Sequence, residues 1–183
     1  MLNPPKIANP AALGLAGFAL TTFLLSAVNA GLLPVGDGVW IGFALFYGGA
    51  AQLLAGMWEF PQGNTFGATA FCSYGAFWLS TAFYVWFFAA KATNVHQDLA
   101  YLLFAWTVFT AYMTIEALRH AAMPVKLVFI ALVITCALLW LGEGFGIAQL
   151  GQAGGYVGIL TAVLAWYASW KAAHDAHPAG GLP

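Results

Sequence analysis

The chain has 183 residues, of which 62% are hydrophobic and only 6% charged, with a formal net charge of −1. A soluble domain carries about a quarter charged residues, so this composition excludes a water-facing globular surface. It also excludes a nucleic-acid partner, because phosphate neutralisation requires a basic patch that five scattered Lys and Arg residues do not form.

The charges leave long uncharged stretches between them, among them 60–90 and 127–142. A hydrocarbon core of roughly 30 Å takes about 20 apolar helical residues. The pattern predicts an all-α integral membrane protein with six transmembrane helices. The first spans 11–33 and stops at the turn 34–38. Its Val28-Asn29-Ala30 resembles a signal-peptidase site, but a cleaved signal has a shorter apolar core and a more basic start, so a retained span is favoured. The second spans 39–58 and stops at Glu59 and the turn 61–64. Asn64 is suited to cap the third, 65–90. A polar loop, 91–98, leads to the fourth, 99–118, and the turn 119–124 to the fifth, 125–141. A glycine-rich connection, 143–155, leads to the sixth, 156–170. The resulting organisation is a cytoplasmic N-terminal segment, 1–10, a membrane domain, 11–170, and a polar cytoplasmic tail, 171–183.

Orientation follows from basic residues. With six spans, Lys6, Arg119, Lys126 and Lys171 fall on the side of both termini, and only Lys91 falls opposite. The positive-inside rule then places both termini in the cytoplasm. The expected location is the inner (plasma) membrane. Trp40, Trp58, Trp86 and Trp170 lie near span ends, where an interfacial belt holds aromatic residues. Trp78 and Trp106 lie well inside spans and need packing partners. Gly142-x-x-x-Gly146, Gly151-x-x-x-Gly155 and Gly154-x-x-x-Gly158 permit close helix contact without naming a partner. No internal repeat is visible.

Enzyme chemistry finds little support. His96, His120, His174 and His177 lie in loops, at a span end or in the tail, so no mid-membrane pair is available for haem. His174-x-x-His177 reads as a solvated tail rather than a metal site. No HExxH helix, GxSxG elbow or intramembrane aspartate pair occurs. Cys72 and Cys136 read as small apolar packing residues. No cofactor or metal is expected. Glu116, with Arg119 and His120 one turn on, reads as a helix-end charge cluster; a proton-coupling role is the alternative. The spans hold only neutral polar groups, such as Thr21, Thr22, Ser26, Gln52, Tyr74 and Thr110. Gln52 stands out, because a mid-span amide is costly without a partner. A path with amides and hydroxyls but no fixed charge suits a small carboxylate, urea or a short amide.

The opening Asn9-Pro10-Ala11-Ala12-Leu13-Gly14-Leu15 resembles the NPAPLGL signature of the acetate uptake transporter family, whose bacterial members are the YaaH-type succinate–acetate permeases. The similarity continues through Gly17-Phe18, Thr21-Thr22, Phe46-Tyr47-Gly48-Gly49 with Gln52, Gly63-Asn64-Thr65-Phe66-Gly67 and Ser73-Tyr74-Gly75-Ala76-Phe77-Trp78, with a weaker match in 127–142. Ala12 departs from the signature's second proline, which concerns local backbone geometry at the entry to span 1. The resemblance implies a homohexamer of six-helix protomers in the lipid bilayer. Each protomer would hold one path for acetate, related monocarboxylates and sometimes succinate. It further implies that Phe18, Tyr74 and, by the weaker match, Leu132 narrow that path. Phe18, Thr22 and Leu25 share one helical face, as do Tyr74 and Trp78. Helix N-termini at Asn9 and Asn64 attract anions. With Thr21, Thr22, Gln52 and Trp78, these residues complete the candidate substrate path, although Asn9 and Asn64 would serve equally well as helix caps. The rival readings are a urea or short-amide channel of similar hexameric build and a structural membrane subunit. The sequence leaves open channel against proton-coupled transport, the preferred carboxylate and the direction of flow.

Overall fold

The structure, a computed structural model, describes residues 7–34 and 38–176, and every regular element among them is helical. α1 is Ala11–Asn29. α2 (Val39–Leu45), a π-helical turn (Phe46–Ala51) and α3 (Gln52–Glu59) form one continuous rod. α4 (Thr65–Phe87) ends in the short 3₁₀ turn Ala89–Lys91, and α5 (Val95–His120), α6 (Met123–Phe145) and α7 (Ala148–His174) follow. These are the six rods the hydropathy pattern predicts. α1, the rod Val39–Glu59, α5 and α6 are both long and apolar enough to cross a membrane. α4 and α7, of 23 and 27 residues, have the length as well.

Several boundaries differ from the sequence reading, each for a local reason. α1 stops at Asn29 rather than at 33, where Gly31 turns the chain at φ 75°. α5 begins four residues earlier than expected. The Asn94 side chain accepts from the Gln97 N–H at 3.1 Å, and Asp98 sits in the first turn, where negative charge is favoured. α6 carries Pro124 in its first turn and continues to Phe145, until Gly146 ends it in the left-handed conformation. The largest correction concerns 143–155. The expected connection is a two-residue turn, Gly146-Ile147, and most of its glycines belong to helices. A Cβ on Gly142 would meet Gly151 backbone at 2.7 Å, one on Gly154 the Leu139 side chain at 2.9 Å, and one on Gly155 the Asn29 and Ala30 backbone. These glycines let α7 lie against α6 and the end of α1, so the small-residue motifs serve packing inside the protomer. α7 also runs to His174, so 171–174 are helix rather than tail. Lys171 there pairs with Asp175 at 2.9 Å. Segments 1–6 and 177–183, with Lys6 and His177, lie outside the described residues, as does Asp37.

α7 packs between α1 and α6, α5 lies on α6, and α4 lies on the broken rod. The main core gathers Leu15, Phe18, Phe71, Tyr74, Phe129 and Leu132, among others, from α1, α4 and α6. A smaller one gathers Val28, Trp40, Ala44, Trp78 and Ala82. Trp40 is therefore buried rather than interfacial, whereas Trp58, Trp86 and Trp170 are exposed, as a belt requires. Phe46, Leu54, Tyr101, Ile134 and Leu160 present apolar side chains on the outside, the surface a hydrocarbon solvent needs.

Candidate functional site

Two cavities lie end to end within the bundle. One, of about 260 Å³, opens among the start of α1, the start of α4, the end of α5 and the start of α6. The other, of about 60 Å³, lies toward the end of α1 and the far halves of α5 and α6. They have three lining residues in common: Phe18, Tyr74 and Leu132. All three are buried, with 5%, 4% and 6% of their surface exposed. Phe18 meets Tyr74 edge to face at 5.7 Å, and Tyr74 is held by Phe109 at 5.4 Å and by a 2.8 Å hydrogen bond between its hydroxyl and that of Thr110. These contacts come from α1 and α5, so the Tyr74 ring of α4 is fixed from two neighbouring helices.

The other candidates divide between the two ends. Gln52 lines the larger cavity. It is 1% exposed, and its side-chain carbonyl has no protein partner. Asn64 lines the same cavity and caps α4, accepting from the Gly67 N–H at 3.0 Å. Thr22 and Trp78 line the smaller cavity. Asn9 and Thr21 line neither. Asn9 accepts from the Ala11 N–H at 3.0 Å, a local bond just ahead of α1, whose N-cap position is Pro10. The Thr21 hydroxyl faces the carbonyls of Gly17 and Phe43 at 3.0 and 3.3 Å and lies against Gly48 of the π-helical turn. It ties α1 to the rod just ahead of the π-helical turn. Glu116 is partly exposed, 3.7 Å from Arg119 and 3.6 Å from His120, the helix-end cluster expected of it.

Glu59 corrects the sequence reading. Placed there at the water-facing end of span 2, it is 1% exposed. The turn 60–63 folds the chain back so that Asn64 donates to the Glu59 carboxylate at 2.7 Å, while the Gln62 and Asn64 N–H groups donate to its backbone carbonyl. Gly67 leaves room for the carboxyl, since a Cβ there would meet it at 3.0 Å. A buried acid therefore stands directly behind Asn64 at the wide cavity's mouth. Only the five-residue offset from the capping asparagine hinted at it. Trp106 is also more than packing: it lines the smaller cavity, and its indole N–H is buried without a protein partner.

Chemically, the site is an apolar neck between two chambers whose polar groups are mostly neutral. Such a neck excludes water and ions until a solute occupies it. No nucleophile paired with a base lines either chamber.

Comparison with known proteins places the chain in a family. The chain is 40% identical over 164 residues to a succinate-acetate/proton symporter, SatP, of Escherichia coli K12, covering 88% of this chain and 86% of that protein. It is 42% identical over 170 residues to an ammonia transport outward protein of Saccharomyces cerevisiae, covering 88% of this chain. The chain spans 60% of the length of the yeast relatives it matches. A solved structure of the bacterial acetate channel SatP superposes with a TM-score of 0.87 at 38% identity, covering 93% of this chain and 94% of that one. The model of the GPR1/FUN34/yaaH family matches residues 2–178. Similar in sequence and fold over nearly its whole length, the chain belongs to the GPR1/FUN34/yaaH family.

Proposed function

We propose that this multi-pass membrane protein conducts acetate and related small carboxylates through each protomer, by a path that joins the two cavities at Phe18, Tyr74 and Leu132. The observation that carries this reading is the meeting of two separate cavities at the three side chains marked by the family resemblance. The names of similar proteins, a succinate-acetate symporter and an acetate channel, support the substrate class. The neck supplies hydrophobic gating, and Gln52 and Asn64 supply polar contacts in the wider chamber. The same reading takes both termini as cytoplasmic, because Arg119, Lys126 and Lys171 lie at the wide-chamber end, which is then the inner end. The assembly is a homohexamer; native mass spectrometry in mild detergent tests this, and monomers and dimers alone would contradict it.

Counterflow of labelled acetate into proteoliposomes, with urea and ammonium in parallel, tests the substrate class. Acetate exchange well above that of empty vesicles is expected. Exchange of urea or ammonium without acetate would overturn the reading.

A further inference from the structure

A path that selects anions needs charge at some point, and the walls of both chambers are built almost wholly from neutral side chains. Among the described residues, His120 is the exception: it lines the wide chamber, and no Asp, Glu, Lys or Arg lines either one. It is the last residue of α5, and Ala121 and Ala122, which turn the chain into α6, line the same chamber. Its side chain is 73% exposed, so the ring stands in solvent at the mouth instead of being sealed in the bundle. Histidine is the side chain whose charge ordinarily changes between about pH 5 and 8, and in its protonated form both ring nitrogens donate.

Glu116, one turn earlier on α5, meets that ring. Its carboxylate lies 3.6 Å from His120 Nε2 and 3.7 Å from the Arg119 guanidinium. At 3.6 Å the contact is an ion pair without a hydrogen bond, so Nε2 keeps its donor capacity for another acceptor. Glu116 itself lines neither chamber.

We propose that His120 recognises substrate charge at the mouth of the wide chamber, and that Glu116, a carboxylate tethered beside it, competes with the solute for the ring. This rests on the reading of the chain as a carboxylate path and adds a residue that makes entry depend on pH. With His120 protonated, an arriving carboxylate accepts from Nε2 and displaces the loose contact to Glu116. With His120 neutral, the chamber wall offers the solute no charge. The remaining charges at this end do not supply the dependence. Arg119 and Lys126 line neither chamber, and neither residue type titrates near neutral pH. α1 and α4, which complete the mouth, carry no Asp, Glu, Lys, Arg or His. Glu59 is 1% exposed and stands behind Asn64, away from the wall. His174, at the end of α7, is off both walls too, stacked on Trp170.

The test measures the KM for acetate exchange in proteoliposomes at pH 6 and pH 8, with equal pH and acetate on both sides, matched amounts of folded oligomer and the flux of empty vesicles subtracted. Wild-type KM is expected to be roughly two- to fivefold lower at pH 6, the scale of one solvent-exposed charge pair, and the difference should shrink in high salt. His120→Gln should hold KM at the higher value at both pH values, and His120→Lys at the lower one. Glu116→Gln should lower KM in the wild-type background and by less in His120→Gln, because the competition acts through the ring. Wild-type protein that carries acetate with the same KM at both pH values, or with a pH difference that survives His120→Gln, would overturn the proposal while leaving the carboxylate path intact. His120→Lys behaving as His120→Gln would show that the charge is not used, and an equal gain from Glu116→Gln in both backgrounds would remove the competition. Wild-type protein that carries no carboxylate at all would instead remove the reading on which the proposal rests.

Discussion

Phe18→Ala separates a gate from a packing residue. Phe18 is 5% exposed and lines both chambers, with Tyr74 across the neck at 5.7 Å between ring centroids. In a closed core, truncation of a phenylalanine costs about 3–5 kcal/mol, much of it from the cavity left behind, at about 24 cal/mol per Å³. A void of roughly 100 Å³ would contribute about 2.4 kcal/mol by that rule. Here the ring fronts existing space on two sides, so the vacated volume merges chambers of about 260 and 60 Å³. Solute and water can enter the merged space, and the loss of stability should fall toward the lower end of the range. The dewetting barrier should fall with it. Flux per folded oligomer is therefore expected to rise for acetate, or the accepted size to extend to longer carboxylates. The assay is uptake of a labelled carboxylate series into proteoliposomes, normalised to oligomer recovered by size exclusion. Normal assembly with unchanged transport of every acid tested would refute the gate, and flux lost in proportion to folded yield would make Phe18 a core residue.

Tyr74→Phe keeps the ring in the neck but breaks the 2.8 Å bond to Thr110, a change worth about 0.5–1.5 kcal/mol. Acetate uptake should weaken modestly with the size cutoff unchanged, as a carboxylate series would report. Asn64→Asp keeps a capping oxygen for the Gly67 N–H but replaces the amide donor that meets Glu59 at 2.7 Å with a second carboxyl. It should lower the midpoint of thermal unfolding more at pH 8 than at pH 5, because both acids ionise as pH rises and two adjacent carboxylates repel. Equal losses at both pH values would mean that Glu59 and Asn64 are not coupled. Gly155→Ala drives a methyl into the backbone of Asn29 and Ala30 and should cost about 1–3 kcal/mol, seen as a lower unfolding temperature in detergent.

Much of this architecture could be read from the sequence because lipid demands it. Uncharged runs of about 20 residues have few alternatives to transmembrane helices. The face formed by Phe18, Thr22 and Leu25 follows from helical periodicity, and all three line the smaller cavity. The helix ends were less legible. Glycines at 143–155 read locally as a connection, whereas Gly154 answers to the Leu138 and Leu139 side chains of α6 and Gly155 to the backbone at the end of α1, which arrive from elsewhere in the chain. Glu59 was read as a charge at the water boundary because hydropathy counts residues and does not see a turn fold one beneath the next helix. Trp40 lies near a span end yet is buried against Val28 and Trp78. Thr21 sits in a family motif, but its hydroxyl ties α1 to the rod just ahead of the π-helical turn, a backbone irregularity that periodicity does not reveal.

The central claim is that solute passes the junction of the two cavities, and a thiol at that junction tests it most directly. Leu132→Cys, in a background where Cys72 and Cys136 are replaced by alanine, places a reactive group on a side chain that lines both chambers. Before modification the variant should exchange acetate in proteoliposomes. After a small methanethiosulfonate reagent has reacted, exchange should fall to the level of empty vesicles, and acetate present during the reaction should slow the modification. Complete modification at position 132, verified by mass spectrometry, with acetate exchange undiminished would contradict the path.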